Sequence, residues 1–166
     1  MAIRSGKTFF ARRKAGLYSK RAGDWFETWL KNACNAKGWA ALKIPSGCEW
    51  VAHNRAKPVK TPFDFVFCKN GVSIFGDAKT TNEKAFGFSK ITPHQLAWLE
   101  YIEKAGNISG YIVNFRELNQ TVFFSTALLS SLRPRCSLSP SDGIMIGSNN
   151  EIDLQTVAAK YVHEKS

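Results

Sequence analysis

Two aspartates and two lysines sit inside "TPFDFVFCKNGVSIFGDAKTT", residues 61–81, a stretch otherwise dominated by phenylalanine and aliphatic side chains. Asn70-Gly71 is the strongest short hairpin signal in the chain and predicts a two-residue type I′ turn. Lys69 then faces Val72, and counting back along both strands places Asp64 directly across from Asp77. Directly opposed residues have Cβ atoms about 4.5–5.5 Å apart, and pleat alternation puts Lys79 on the same face. Like charges at that distance destabilise a strand pair unless a cation joins them. Carboxylate oxygens suit Mg²⁺, which usually keeps several waters for substrate phosphates. A neighbouring lysine could orient or polarise an attacking water, or stabilise charge on the phosphate. A register slip by one residue would instead leave both aspartates merely exposed.

The opposite face of this hairpin pairs large residues with small ones: Phe67 with Ile74, Phe65 with Gly76 and Phe63 with Ala78. It reads as a core face, and it needs helices to cover it. "DWFETWLKNACNAK", residues 24–37, has Trp25, Phe26, Trp29, Leu30 and Ala33 at helical spacing, with Asp24 as N-cap and Gly38 as stop signal. "WAALKIP" reads as a strand ended by Pro45, and residues 46–60 read as an irregular, basic loop or projection. "ITPHQLAWLEYIEKAG" predicts a helix with Thr92 as N-cap, Pro93 first and Gln95 completing a T-x-x-Q capping box. Leu96, Leu99, Ile102 and Ala105 form its apolar stripe, while His94 reads as a surface residue. "SGYIVNF" and "TVFFS" read as strands around a turn, residues 126–132 as a short helix, and "RPRCSLSPSDG" as a linker. A last helix is expected over about 153–163, with Leu154, Val157, Ala158 and Tyr161 inward. Together these predict an α/β fold, a mixed central sheet flanked by helices.

A chain of 166 residues suits one domain with a sizeable core. It contains no apolar run of the roughly 18 residues that a membrane span needs, and its first residues do not resemble a secretory signal. A cytoplasmic protein without membrane contact is expected. The four cysteines are widely spaced, so unpaired thiols are expected over a zinc site or a disulfide framework. The net charge is +10, unevenly spread. Arg4, Lys7, Arg12, Arg13, Lys14, Lys20 and Arg21 precede the first acid, Asp24. A division into a flexible basic arm, 1–22, and a folded domain, 23–166, follows. Such an arm is an electrostatic footprint for a polyanion, although a solvated tail has the same composition. It can be disordered when free and ordered along phosphates when bound.

The acidic hairpin followed by a helix resembles the PD-(D/E)xK nuclease superfamily. Asp64 matches its first acid, and Asp77-Ala78-Lys79 its (D/E)xK half. The order of motifs is similar, more narrowly, to the RecU-type Holliday junction resolvases. "RAGDWFETWL" resembles their first helix, "ALKIPSG" the next strand, "TPFDFVF" and "FGDAKTT" the metal-binding strands, and "ITPHQLAWLEYIEKAGNISGYIVNF" the His-Gln helix and following strand. The resemblance spans roughly residues 20–162, with "CSLSPSDGIMI" the weakest part. It implies a restriction-endonuclease-like core and a homodimeric endonuclease acting on four-way DNA junctions. It also implies Mg²⁺, with Mn²⁺ as substitute, and 5′-phosphate and 3′-hydroxyl product ends. Asp64, Asp77, the Ala78 carbonyl and Glu27 would hold the metal, Lys79 would assist the water, and Gln95 would support the site. Glu27 alone would otherwise be a solvated charge, and the capping box already accounts for Gln95. Lys43, Arg55, Lys57 and Lys60 would join the arm in gripping DNA. Asp77 stands where the family more often has Glu, and residues 46–60 are short where it has a projecting stalk. Another nuclease of the superfamily, of repair or restriction type, and a non-catalytic DNA-binding module are the alternatives.

Overall fold

The computed structural model describes residues 7–52, 55–132, 137–148 and 151–164. Its first element, α1 (Lys7–Ala36), begins well before Asp24, which lies inside the helix rather than capping it. The segment ahead of Asp24 is rich in Ala, Arg and Lys and lacks proline, so propensity lets the helix run on despite two interior glycines. Its end follows the sequence signal. Gly38 adopts φ +80°, the Trp39 N–H reaches the Cys34 carbonyl at 3.0 Å, and the Gly38 N–H reaches that of Asn35 at 3.0 Å. That pair of bonds is a Schellman cap, which the missing Cβ of glycine permits.

A six-stranded sheet follows, built from β1 (Ala40–Lys43), β4 (Phe65–Lys69), β5 (Val72–Thr81), β7 (Ile108–Phe115), β8 (Gln120–Ser125) and β10 (Ile144–Ser148), side by side in that order. Only β5 and β7 run parallel, so the sheet is mixed, as expected. Their crossover carries α2 (Pro93–Lys104), and α3 (Thr126–Ser131) and α4 (Gln155–Glu164) follow later. Alternate residues of the sheet build two cores. Phe65, Phe67, Ile74, Ile112 and Phe123 meet Phe26, Leu30 and Cys34 of α1 and Val157 of α4. Tyr111, Val113, Phe115 and Phe124 meet Leu96 and Leu99 of α2 and Leu129 of α3. Phe65 and Phe67 are fully buried, each contributing about 1.5–3 kcal/mol of burial free energy.

Several sequence expectations are corrected. Within residues 46–60, expected to be an irregular loop or projection, β2 (Cys48–Ala52) and β3 (Arg55–Pro58) pair antiparallel as a separate two-stranded sheet. The expected linker contributes β9 (Ser137–Leu138), which pairs with β6 (Phe86–Gly87) and buries Leu138. Strand β10, after that segment, was not anticipated. Trp25 is 54% exposed rather than in the core, because Phe26, Leu30 and Cys34 already make the buried stripe of α1. Ala105 is exposed at the end of α2. Cys34 is buried, and burial pushes its thiol pKa up to about 12, so it is a neutral core group. No helix among the described residues is long and apolar enough to cross a membrane.

Candidate active site

The hairpin of β4 and β5 has the register that Asn70-Gly71 implies. Asn70 and Gly71 have φ of 49° and 78°, and Lys69 pairs with Val72, Phe67 with Ile74 and Phe65 with Gly76. The ladder stops there. Asp64 lies one residue beyond it, with its N–H donating to the Gly76 carbonyl at 3.1 Å and its carbonyl accepting from Ile44 at 2.8 Å. Its backbone is therefore held from both neighbouring strands. The alternation also breaks at this point. Phe63 leaves the face expected for it and packs edge-on against Phe75, at 5.4 Å between ring centroids, in the core under α2.

The break brings the Asp64 carboxylate over β5, where Oδ2 accepts from the Ala78 N–H at 2.9 Å. Asp77 is completely buried on the α2 face of β5. Its Oδ1 accepts from the Gln95 side-chain amide, and its Oδ2 faces the Lys79 ammonium as an ion pair while accepting no directional hydrogen bond. Burial, opposed by Lys79 and reinforced by Asp64, pushes the Asp77 pKa up to about 7. Burial disfavours the ionised carboxylate, and a hard divalent cation held beside it would favour that form. Among the described residues no three His, Cys, Asp or Glu side chains converge as a metal cluster. Two carboxylates with waters filling the remaining positions is the arrangement Mg²⁺ tolerates.

Gln95 reaches Asp77 because it lies in the first turn of α2, which crosses this face of the sheet. The expected capping box does not form. The Thr92 hydroxyl makes no cap bond and instead donates to Gln95 Oε1 at 2.6 Å, orienting the amide that serves Asp77. Glu27 lies on α1, across the sheet from Asp77, and its carboxylate meets Lys43 Nζ at 2.5 Å. Lys43 in turn feels the charges of Glu27, Asp64 and Asp24, and its pKa is raised, chiefly by the Glu27 hydrogen bond. Lys20, Arg21, Lys43, Lys57 and Lys60 are exposed. Arg4 lies outside the described residues, as do the side chains of Lys7, Arg12, Arg13, Lys14 and Arg55.

Tyr111 was not anticipated. It pairs with Asp77 across the parallel ladder, and Lys79 Nζ sits 5.9 Å from its ring centroid. Burial, then the nearby Asp77 and Asp64, raises its hydroxyl pKa, so it stays protonated. Its role depends on which residue of β7 lies beside Asp77, and local sequence carries no signal for that register. The pairings place Lys43, Asp64, Asp77, Lys79, Asn114, Thr121 and Ser148 at one end of the sheet.

Residues 55–139, just over half of the sequence, match the family described as Recombination protein U, RecU. The chain belongs to the RecU family. The RecU match contains Asp64, Asp77, Lys79 and Gln95, and begins after Glu27 and Lys43. Among solved structures, the RecU-family chain is similar to Hjc of Archaeoglobus fulgidus, described as a Holliday junction resolvase from an archaeal hyperthermophile. The TM-score is 0.55 at 16% identity, over 75% of this chain and 96% of that one. At that identity the likeness shows the fold, the restriction-endonuclease-like core. No curated protein sequence matches.

Proposed function

We propose that this RecU-family protein is a divalent-metal-dependent endonuclease that resolves four-way DNA junctions, working as a homodimer. The observation that carries the reading is the convergence of Asp64, Asp77, Lys79 and Gln95 at one sheet end within the segment that matches RecU. Asp64 and Asp77, with the Ala78 carbonyl beside them, would hold the cation, and Glu27 would join only by releasing Lys43. Bound there, Mg²⁺, or Mn²⁺ in its place, would supply Lewis-acid charge to a scissile phosphate.

The chain's own groups account for the rest. Lys79 is partly exposed and keeps its ammonium at the mouth of the site, where it can orient water and offset phosphate charge. Gln95 fixes one oxygen of Asp77, leaving Oδ2 directed toward Lys79. The exposed Lys20, Arg21, Lys43, Lys57 and Lys60 would grip backbones, giving affinity that falls steeply with salt. A junction presents two symmetric continuous strands, which a two-fold dimer with one site per subunit matches. Selection would be of branch shape more than of base sequence.

The test compares cleavage of a four-way junction and a linear duplex of the same sequence, with Mg²⁺ and with EDTA. Paired, Mg²⁺-dependent nicks in junction strands are expected, and Asp77→Asn should abolish them while leaving junction binding. Equal cutting of the linear duplex would overturn the resolvase reading. Cleavage by Asp77→Asn at the wild-type rate would overturn the assignment of the site.

A further inference from the structure

We infer that Trp25 and Trp29 form a stacking subsite for one nucleobase, unstacked from the DNA strand beside the scissile phosphate. The inference rests on the junction-resolving reading and adds a residue-level substrate contact to it. The two indoles lie one helical turn apart on α1, nearly parallel at 10°, with centroids 6.1 Å apart. Core packing accounts for only part of this pair. Phe26 and Leu30 bury the inner face of the helix, whereas Trp25 leaves more than half its surface in water.

The pair borders a cavity of about 210 Å³ whose far walls are Asn114, Arg116, Thr121 and Glu151. That is below the roughly 300 Å³ usual for a small-molecule pocket, which suits a single ring system. The walls offer what a base edge needs. The Asn114 amide is held by Thr121 Oγ1 at 3.1 Å, Glu151 supplies an acceptor for an exocyclic amine, and the exposed Arg116 can take the adjoining phosphate. The carboxylate of Glu151 would repel phosphate, so the backbone belongs on the Arg116 side.

The position links the cavity to the site. Asn114 pairs with Thr80, the residue after Lys79, and the cavity opens at the same sheet end on the opposite face. A DNA strand crossing that end with a phosphate at Lys79 brings a neighbouring nucleotide to the indoles. Bases beside a branch point have an interrupted stack and are the least costly to unstack. Stacking on an aromatic ring corresponds to an affinity change of about five- to 150-fold per base.

The experiment measures binding of the full chain in EDTA to four-way junctions carrying one abasic site, stepped through positions flanking the cleaved bond. Wild type is expected to lose about five- to 150-fold at one of these positions. Trp25→Ala should lose a similar factor on the intact junction and nothing further at that abasic position. Trp29→Phe, which keeps the packing, should lose less, and circular dichroism verifies that both variants fold. Abasic costs as large in Trp25→Ala as in wild type, or an intact-junction affinity equal to wild type, would overturn the stacking subsite alone. A wild type that binds junction no better than linear duplex would overturn the resolvase reading and the subsite with it.

Discussion

Gln95 donates its side-chain amide to Asp77 Oδ1, while the Thr92 hydroxyl donates to the oxygen of that same amide. The two residues of the predicted capping box thus form a relay from the helix start to the acidic centre. A partner that orients a metal-binding carboxylate typically contributes 10–100-fold to activity or metal affinity, so on the proposed metal-holding role of Asp77, Gln95→Ala should lower cleavage by about that factor. Junction binding and the melting midpoint should stay close to wild type. Single-turnover cleavage beside fluorescence anisotropy separates the two effects, and parallel losses of stability and cleavage would return Gln95 to a purely structural role.

The burial of Asp77 predicts an unusual pH dependence for the metal-free protein. Its pKa rises from 3.8 to about 7 on folding, so between those values the native state keeps a proton that the unfolded chain releases. The resulting stability is fully present below the unfolded pKa and is lost as pH rises through about 7. Asp77→Asn should flatten this slope and be more stable than wild type above pH 7, by on the order of a few kcal/mol. Denaturant melts in EDTA from pH 5 to pH 8 measure it. Cation affinity should run the other way, rising toward neutrality as the carboxylate ionises. A stability difference between wild type and Asp77→Asn that stays constant from pH 5 to pH 8 would show that the buried carboxylate is charged throughout.

Glu27 and Lys43 make an ion pair at 2.5 Å that must open if Glu27 is to serve as a metal ligand. Lys43→Ala frees the carboxylate, whereas Glu27→Gln removes its charge. On the ligand proposal, Glu27→Gln should raise the Mg²⁺ concentration for half-maximal cleavage about tenfold or more, and Lys43→Ala should not. Metal titrations of both variants decide it. Equal, small effects on binding and none on the metal requirement would leave Glu27 as a partner for Lys43 only.

Removing residues 1–18 takes away Arg4, Lys7, Arg12, Arg13 and Lys14 but leaves Phe26, Leu30 and Cys34, the part of α1 buried in the core. The domain should still fold. For every phosphate that the shortened chain no longer neutralises, the slope of log affinity against log salt should become shallower by about 0.9 on duplex arms. Binding isotherms at several salt concentrations test this, and an unchanged slope would refute a DNA-gripping role for the segment.

The legible parts of this fold were those specified by near neighbours in the chain. Asn70-Gly71 set a turn, the turn set the register from Lys69 to Phe65, and the cap at Gly38 ended α1. Expectations failed where a distant contact overrode a local pattern. Asp24 has N-cap chemistry but sits in a segment whose preceding residues also favour helix. Thr92 and Gln95 fit a capping box, yet a buried carboxylate on β5 competes for the glutamine. Phe63 follows strand alternation only until Asp64 is pulled toward Ala78. Tyr111 and the cavity beside Trp29 depend on how β7 lies against its neighbours, which no short pattern encodes.

The hairpin turn offers a way to perturb the acidic pair without touching it. Gly71 has φ +78°, and a Cβ there would meet nothing within 4 Å, so Gly71→Ala introduces backbone strain and no clash. A left-handed alanine costs about 1–2 kcal/mol, which a denaturant melt should recover in full. The strain has two outlets. If the turn keeps its type, the register from Lys69 to Phe65 survives, and cleavage should match wild type at temperatures where both are folded. If the turn relaxes by one residue, every side chain of β4 changes face and Asp64 leaves Asp77. The paired Phe65 and Phe67 are fully buried on the face that a slip would expose, a loss larger than the strain itself. The expected result is therefore reduced stability with cleavage intact. Lost cleavage in a variant that still melts cooperatively would show that the turn, rather than the phenylalanine face, holds the two aspartates in register.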